Sequence, residues 1–201
     1  MKPLTTLTST AVPLIRDNID TDIIIPSREM RSVSKKGLGH GLFANWRYSD
    51  VEARIPDPDF VLNQPAAEDA AILLGGANFG SGSSREHAVW ALDEYGFRVV
   101  VAPSFSPIFY GNCIRNGLLP IVMDPTPLAQ PGLEIEVDLP AQEIRADGQC
   151  WSFEIDPEHK HILVAGLDPI GMTLELTEQI AAHQLRDRQL RPWAWSVLEQ
   201  D

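Results

Sequence analysis

The stretch from residue 70 to residue 96 constrains the fold more than any other. Ala70-Ala71-Ile72-Leu73-Leu74 is an apolar run of strand length, and Gly75-Gly76 breaks it. A glycine- and serine-rich loop follows, Asn78-Phe79-Gly80-Ser81-Gly82-Ser83-Ser84-Arg85-Glu86-His87. Beyond it Ala88, Ala91, Leu92 and Tyr95 recur at helical spacing, which predicts a helix from Ser84 to Tyr95 with Gly96 as its stop. Ser83-x-x-Glu86 fits a capping box at the start of that helix. Arg85 then falls in the first turn, where a cation works against the helix dipole. A bound carboxylate or phosphate, gripped by the guanidinium, gives a reason for it. The run serves equally as a turn that caps a helix and binds nothing. It is not a dinucleotide fingerprint, because Arg85 stands where the third glycine belongs. It also lacks the Gly-Lys-Ser/Thr of a P-loop and the Gly-x-Ser-x-Gly of a nucleophile elbow.

The flanking pattern repeats the strand–helix alternation. Val12 to Ile15 reads as a first strand, and Val99 to Ala102 as a second buried one. Ser106-Pro107 opens a helix that Gly117 ends, and Leu118 to Met123 gives another strand. These predict βαβ units on a parallel sheet. The pattern then changes. Leu133 to Leu139 alternates as a half-buried strand, and Asp147-Gly148 joins two further runs as a hairpin, with Cys150 on the face opposite Trp151 and Phe153. A long last helix from about Leu174 to Leu190 follows Gly171, and the tail from Arg191 carries Trp193 and Trp195, either packed on the body or marking a partner surface. The sum is an α/β core with an antiparallel β section in one domain, residues 1–201.

Composition excludes several functions. The net charge of −12, from 16 basic and 28 acidic residues, argues against nucleic acid and anionic membrane as partners. No apolar run reaches membrane-span length, and residues 1–6 make no signal peptide. Cys113 and Cys150 form no CxxC pair, so a metal site from this chain alone is not expected, and a cytoplasmic protein with reduced thiols is. Within this acidic chain Arg28, Arg31, Lys35 and Lys36 cluster ahead of Gly37-Leu38-Gly39-His40-Gly41, either as a glycine-containing binding loop or as a solvated surface.

Several segments, taken in order, resemble the small subunits of 3-isopropylmalate dehydratase, in the aconitase superfamily. They are Asp17-Asn18-Ile19-Asp20-Thr21-Asp22-Ile23-Ile24-Ile25-Pro26, Gly41-Leu42-Phe43-Ala44-Asn45-Trp46-Arg47-Tyr48, Pro58 to Asn63, Asn78 to Ala88, Ala102 to Phe105, Ile108-Phe109-Tyr110-Gly111-Asn112 and Gly166 to Gly171. The likeness runs from about Pro13 to Leu176. It implies the swivelling β/β/α domain, with a core over about 13–176 and a C-terminal helix and tail over 174–201. It also implies an enzyme of leucine biosynthesis that interconverts 2- and 3-isopropylmalate by dehydration and rehydration.

By that resemblance Ser83 is the base, acting as an alkoxide, and Arg85 clamps a substrate carboxylate. Ser84 supports the loop and helps bind substrate. Asp22, of the Thr21-Asp22 pair, supplies an active-site carboxylate. Asn78, His87 and Thr21 stand behind these groups. Arg28, Lys35 and Lys36 are candidates for a further substrate cation, with Arg31 beside them. The resemblance places a [4Fe–4S] cluster on a separate large subunit, so the site completes itself at the interface of two chains. Related readings are a small subunit for citraconate, methylmalate or homoaconitate, and a non-catalytic anion-binding module. A serine hydrolase built on Ser83 and His87 is disfavoured by their spacing.

Overall fold

The computed structural model describes residues 1–30 and 34–195. Ten strands occur among them: β1 (Thr6–Ser9), β2 (Ala11–Leu14), β3 (Tyr48–Asp50), β4 (Ile55–Pro56), β5 (Ile72–Gly75), β6 (Val99–Ala102), β7 (Leu119–Val122), β8 (Ile135–Asp138), β9 (Glu143–Ala146) and β10 (Gln149–Ser152). The helices of the same region are α1 (Thr21–Ile24), α2 (Ala44–Arg47), α3 (His87–Tyr95), α4 (Pro107–Asn116) and α5 (Pro157–Ala165).

The four apolar strands pair in parallel, in the order β2-β5-β6-β7. Period-2 alternation decides what each face meets. Leu73 and Val100 face a core that includes Ile24, Phe43, Val89, Leu92 and Phe109, from the helices and the loops between them. Ile72, Leu74, Val99 and Val101 face the opposite way, into a core shared with Ile135, Val137, Ile144 and Leu163. Burial on both faces is why these strands read as continuous apolar runs rather than alternating ones. The two prolines within this sheet, Pro13 and Pro120, lie on β2 and β7. These are its edge strands, where a missing N–H donor is tolerated.

An antiparallel sheet, β1-β8-β9-β10, covers the second face. Strand β8 buries Ile135 and Val137 and leaves Glu136 and Asp138 outside. Asp147 (φ 48°) and Gly148 (φ 72°) make the turn from β9 to β10, both in the left-handed region that a two-residue hairpin turn requires. Helices on one face of a parallel sheet and an antiparallel sheet on the other give the β/β/α arrangement.

The structure corrects several boundaries. The first strand is Ala11–Leu14 rather than 12–15, and β1 precedes it. Helix α5 lay unread in the sequence, although Asp156 caps its N-terminus by accepting from Glu158 N and His159 N. The stretch beyond Gly166 forms a unit of its own, starting at Leu167. The long last helix is α7 (Thr177–Leu190), starting three residues later than expected, and an unread short helix, α6 (Pro169–Leu174), which contains Gly171, precedes it. Trp195 donates its indole N–H to Asp187 of α7 at 2.9 Å, while Trp193 is 70% exposed. No helix among the described residues is long and apolar enough to cross a membrane.

Candidate active site

The loop after β5 is stitched to both neighbouring strand ends. On the β6 side, Asn78 N donates to Ser104 Oγ at 2.8 Å and Phe79 N to Ser104 O at 3.0 Å. On the β2 side, Gly80 N donates to Ile19 O at 2.7 Å, and Thr21 N donates back to Ser81 O at 2.8 Å. Between these ties Phe79 turns inward, fully buried, its ring edge-on to Phe109 at 5.6 Å. Gly80 sits at φ 75°, and a Cβ there would run into the Phe109 ring. Gly82 follows at φ 99°, beside Thr21 Oγ1. The glycines are therefore needed for close approach as well as for the turn. The loop emerges at the carboxyl ends of β2, β5 and β6, where ligands bind in open parallel sheets.

Ser83, Arg85, Asp22 and Thr21 converge there. Thr21, itself buried, accepts from Ser83 N at 3.1 Å through Oγ1. Arg85 donates Nε–H to Ser83 Oγ, and its Nη2 donates to both oxygens of Asp22, at 2.9 and 3.0 Å. Asp22 stands in the first turn of α1, which Asp20 caps by accepting from Ile23 N at 2.7 Å. The Asp22 side chain is 60% exposed and that of Arg85 31%, so both remain open to an incoming ligand. A hydroxyl that accepts from a guanidinium is better able to carry negative charge, because charge-assisted hydrogen bonds favour the ionised acceptor.

One expectation fails here. Helix α3 begins at His87, not Ser84, and Glu86 at its start has no side-chain cap bond. The capping box does not form, and Arg85 lies before the helix rather than in its first turn. The cause is local: Ser83 N is tied to Thr21, and Ser84 O accepts from Asn112 Nδ2 at 3.3 Å, so the segment is held short of helical geometry. The Ser83 hydroxyl is left facing Arg85 instead of serving a cap.

The remaining candidates separate. Asn78 Nδ2 donates to Asn18 Oδ1 at 2.8 Å, bracing the loop against the segment after β2. The His87 ring packs on Trp90 at 4.7 Å, with Nδ1 enclosed and unpartnered among the described residues. Lys35 Nζ lies over the Trp90 ring at 4.7 Å and donates to Asn116 at 3.3 Å. Arg28 is engaged by Asn45 and by Glu29, and Lys36 lines a cleft with Arg28, Glu52 and Arg54, not with Ser83. Arg31 lies outside the described residues.

Sequence reasoning missed Glu94. Its carboxylate accepts from the backbone N–H groups of Gly37, Leu38 and Gly39. Partial desolvation acts to raise its pKa, but these three donors outweigh it and leave the group below the usual carboxylate range. Trp90 and Glu94, one turn apart on α3, thus hold successive parts of the basic loop. The i,i+4 spacing of Trp90 and Glu94 was legible, but their partners 55 or more residues upstream were not.

The comparisons with known proteins bear on what this constellation is. A family model of the aconitase C-terminal domain matches residues 1–126, and a LeuD_N model matches residues 128–157. A protein of Cupriavidus necator, the 3-isopropylmalate dehydratase small subunit, is 51% identical over 203 residues, covering 96% of this chain and 98% of the relative. The chain belongs to the family of 3-isopropylmalate dehydratase small subunits. These are parts of hydro-lyases of the aconitase superfamily that serve leucine biosynthesis. The crystal structure of 3-isopropylmalate dehydratase from Methanocaldococcus jannaschii superposes with a TM-score of 0.67 at 28% identity, covering 89% of this chain and 99% of that one. The small-subunit fold is therefore the one described above.

An iron–sulfur cluster, which the superfamily implies, is held by thiolates. Cys113 is wholly buried in α4, and that burial pushes its thiol pKa well up. Cys150 is exposed on β10, in the antiparallel sheet. The described residues contain no group of three or more metal-ligating side chains. The donors of this chain do not fit a cluster.

Proposed function

We propose that this chain supplies the proton-transfer and carboxylate-binding half of an active site that it shares with a large subunit. The substrate is 2-isopropylmalate, dehydrated to 2-isopropylmaleate and rehydrated to 3-isopropylmalate. A C–H beside a carboxylate is a poor acid, and removing its proton places a second negative charge on that carboxylate. The enzyme must supply both a base and a counter-charge at one place. Ser83 Oγ takes the proton. Arg85 holds the base by Nε–H and turns its guanidinium toward the substrate carboxylate, where the charge develops. Asp22 fixes the guanidinium plane and contributes the carboxylate of the site. Thr21 and Ser84 keep the base in register, and Asn78 and His87 brace the loop from behind.

Loss of hydroxide is the other half of the chemistry. A [4Fe–4S] cluster with an open iron position, carried by the large subunit, would supply the Lewis acid for that departure. The same reading places the complex in the cytoplasm, where Cys113 and Cys150 stay reduced.

The observation that carries this reading is that one guanidinium, Arg85, touches both Ser83 Oγ and the Asp22 carboxylate. The test is anaerobic reconstitution with the candidate large subunit, assayed against isopropylmalate, citraconate with methylmalate, and homoaconitate. Isopropylmalate should turn over fastest. Preference for another diacid would reassign the substrate, and no turnover of any would favour a non-catalytic anion-binding module.

A further inference from the structure

Two polar side chains are buried among the described residues, Thr21 and Asn112. Both attach to the same two-residue segment from opposite sides: Thr21 holds Ser83 N, and Asn112 holds Ser84 O. Burying an amide is unfavourable unless its hydrogen bonds are made. Asn112 makes them, donating to Ser84 O and accepting from Arg115.

Four residues further along α4, about 6 Å up the helix axis, Asn116 continues the chain of contacts. Its Nδ2 donates to Asn112 O at 2.9 Å. Its Oδ1 accepts from Trp90 Nε1 at 2.8 Å and from Lys35 Nζ at 3.3 Å. Lys35 also sits over the Trp90 ring. One face of α4 therefore touches the main chain beside Ser83 at one turn and the ammonium of the basic loop at the next. Arg28 and Lys36 line a separate cleft with Arg54.

We infer that Asn112 and Asn116 are positioning residues for the reaction and that Lys35 is the basic-loop cation set on the Ser83 side of the molecule. This rests on the reading of Ser83 and Arg85 given above. Asn112 sets the height of the Ser83–Ser84 main chain, and through it the direction of Oγ. Asn116 and Trp90 seat the Lys35 ammonium at a fixed offset from that segment, where it adds positive charge for the second carboxylate of a diacid. The two asparagines divide the labour, so their variants should fail differently.

The test uses the complex reconstituted with its large subunit. Asn112→Leu, which keeps the branched shape without the polar atoms, should lower kcat by about tenfold to a hundredfold, the cost of misplacing a reacting group by about an ångström, with KM little changed. Asn116→Leu should leave kcat within about twofold and raise KM about fivefold to tenfold, the worth of one solvent-exposed hydrogen bond. Lys35→Met, at an exposed position that does not endanger folding, should raise KM by the same factor. The double variant Asn116→Leu/Lys35→Met should be no worse than either single one, because both remove one interaction. Asn116→Asp, which keeps the acceptor but neutralises the Lys35 charge, should leave KM raised.

A purely structural role would lower thermal stability without this split of kcat from KM, and Asp at position 116 would relieve it. Wild-type kinetics in all variants, or additive effects of the Lys35 and Asn116 changes, overturn the inference. Should Asn112→Leu or Asn116→Leu fail to fold, Lys35→Met and Asn116→Asp still decide it, since an unchanged KM in Lys35→Met overturns the placement of the cation. A wild-type complex inactive on isopropylmalate overturns the reading of Ser83 and Arg85 as well, and so is distinguishable from failure of the asparagine assignment alone.

Discussion

The loop that carries Ser83 and the loop that carries Lys35 meet the same pair of helices, α3 and α4, but are held by different means. The run that leads into Ser83 is tied chiefly through its backbone, with Thr21 and Asn112 adding side-chain holds at Ser83 and Ser84. Four main-chain bonds join residues 79–81 and 106 to Ile19, Thr21, Ser104 and the carbonyl of Phe79, and buried Phe79 plugs the loop into the core. The basic loop is held instead by side chains reaching across exposed surface: Glu94 to three N–H groups, Trp90 and Asn116 to Lys35. Backbone ties need glycines and a packed aromatic, which no single polar substitution removes. Side-chain ties can be removed one at a time. On the proposed reading the first loop holds a reacting atom, while the second can lose its holds one at a time.

The difference can be broken most severely at the reacting groups. Ser83→Ala should reduce kcat of the reconstituted complex by about a hundredfold to ten-thousandfold, the usual contribution of a positioned base. Because Ser83 does not cap α3, thermal stability of the isolated chain should hardly move. A clear loss of stability in calorimetry, of the size of a lost helix cap, would contradict the geometry of this loop. Arg85→Lys should come next, with kcat down about a hundredfold or more and assembly intact. An ammonium cannot hold Ser83 Oγ and Asp22 with the planar spacing of Nε and Nη2. Near-normal turnover in a steady-state assay would remove Arg85 from its role.

The backbone-held loop has its own weak point, which concerns folding rather than chemistry. Gly80→Ala places a Cβ against the Phe109 ring at φ 75° and should cost about 1–3 kcal/mol. Urea unfolding would register the loss. Gly37→Ala should cost less, since Gly37, although also at positive φ (87°), has open space around it and bears the conformational strain without the clash.

How much of this could be read from the chain follows the same division. Strands β5, β6 and β7 were legible because burial on both faces writes itself as unbroken Ile72-Leu73-Leu74, Val99 to Ala102 and Leu119 to Val122. The β9–β10 turn was legible from Asp147-Gly148. Strand β1, Thr-Leu-Thr-Ser, buries too little to show a pattern, and α5 buries only Leu163 fully, so its apolar period is faint. At the site, Arg85 stood out in a local motif, whereas the roles of Ser83 and Asp22 came only with the family resemblance. Asn112 lies in one of the segments that carry the family resemblance, where the sequence gives it no role. Its role exists only once α4 is brought beside Ser84, 28 residues away. The choice of Lys35 over Lys36 depends on which side of one turn faces Trp90, and adjacent lysines in a sequence do not encode that.

The smallest effect expected is at Glu94, and it tests whether the basic loop is held as lightly as its exposure implies. In the folded chain three N–H donors stabilise the carboxylate, so its pKa lies below the ordinary 4.5, despite desolvation acting the other way. A group whose pKa falls on folding contributes stability that is fully present above its unfolded value. That contribution disappears as the pH drops through the lower folded value. Glu94→Gln keeps an acceptor oxygen but loses the charge and one of the two oxygens that divide Gly37 from Leu38 and Gly39. Near neutrality the variant should be slightly less stable than the wild type, and the gap should close in acid, where the wild-type carboxylate also becomes neutral. In the reconstituted complex KM should rise by about threefold to tenfold, with kcat unchanged, because one hydrogen bond's worth of loop order is lost while Ser83 stays in place. A fall in kcat instead would mean that the two loops are not held independently, and that the clamp on Gly37–Gly39 reaches the base through α3.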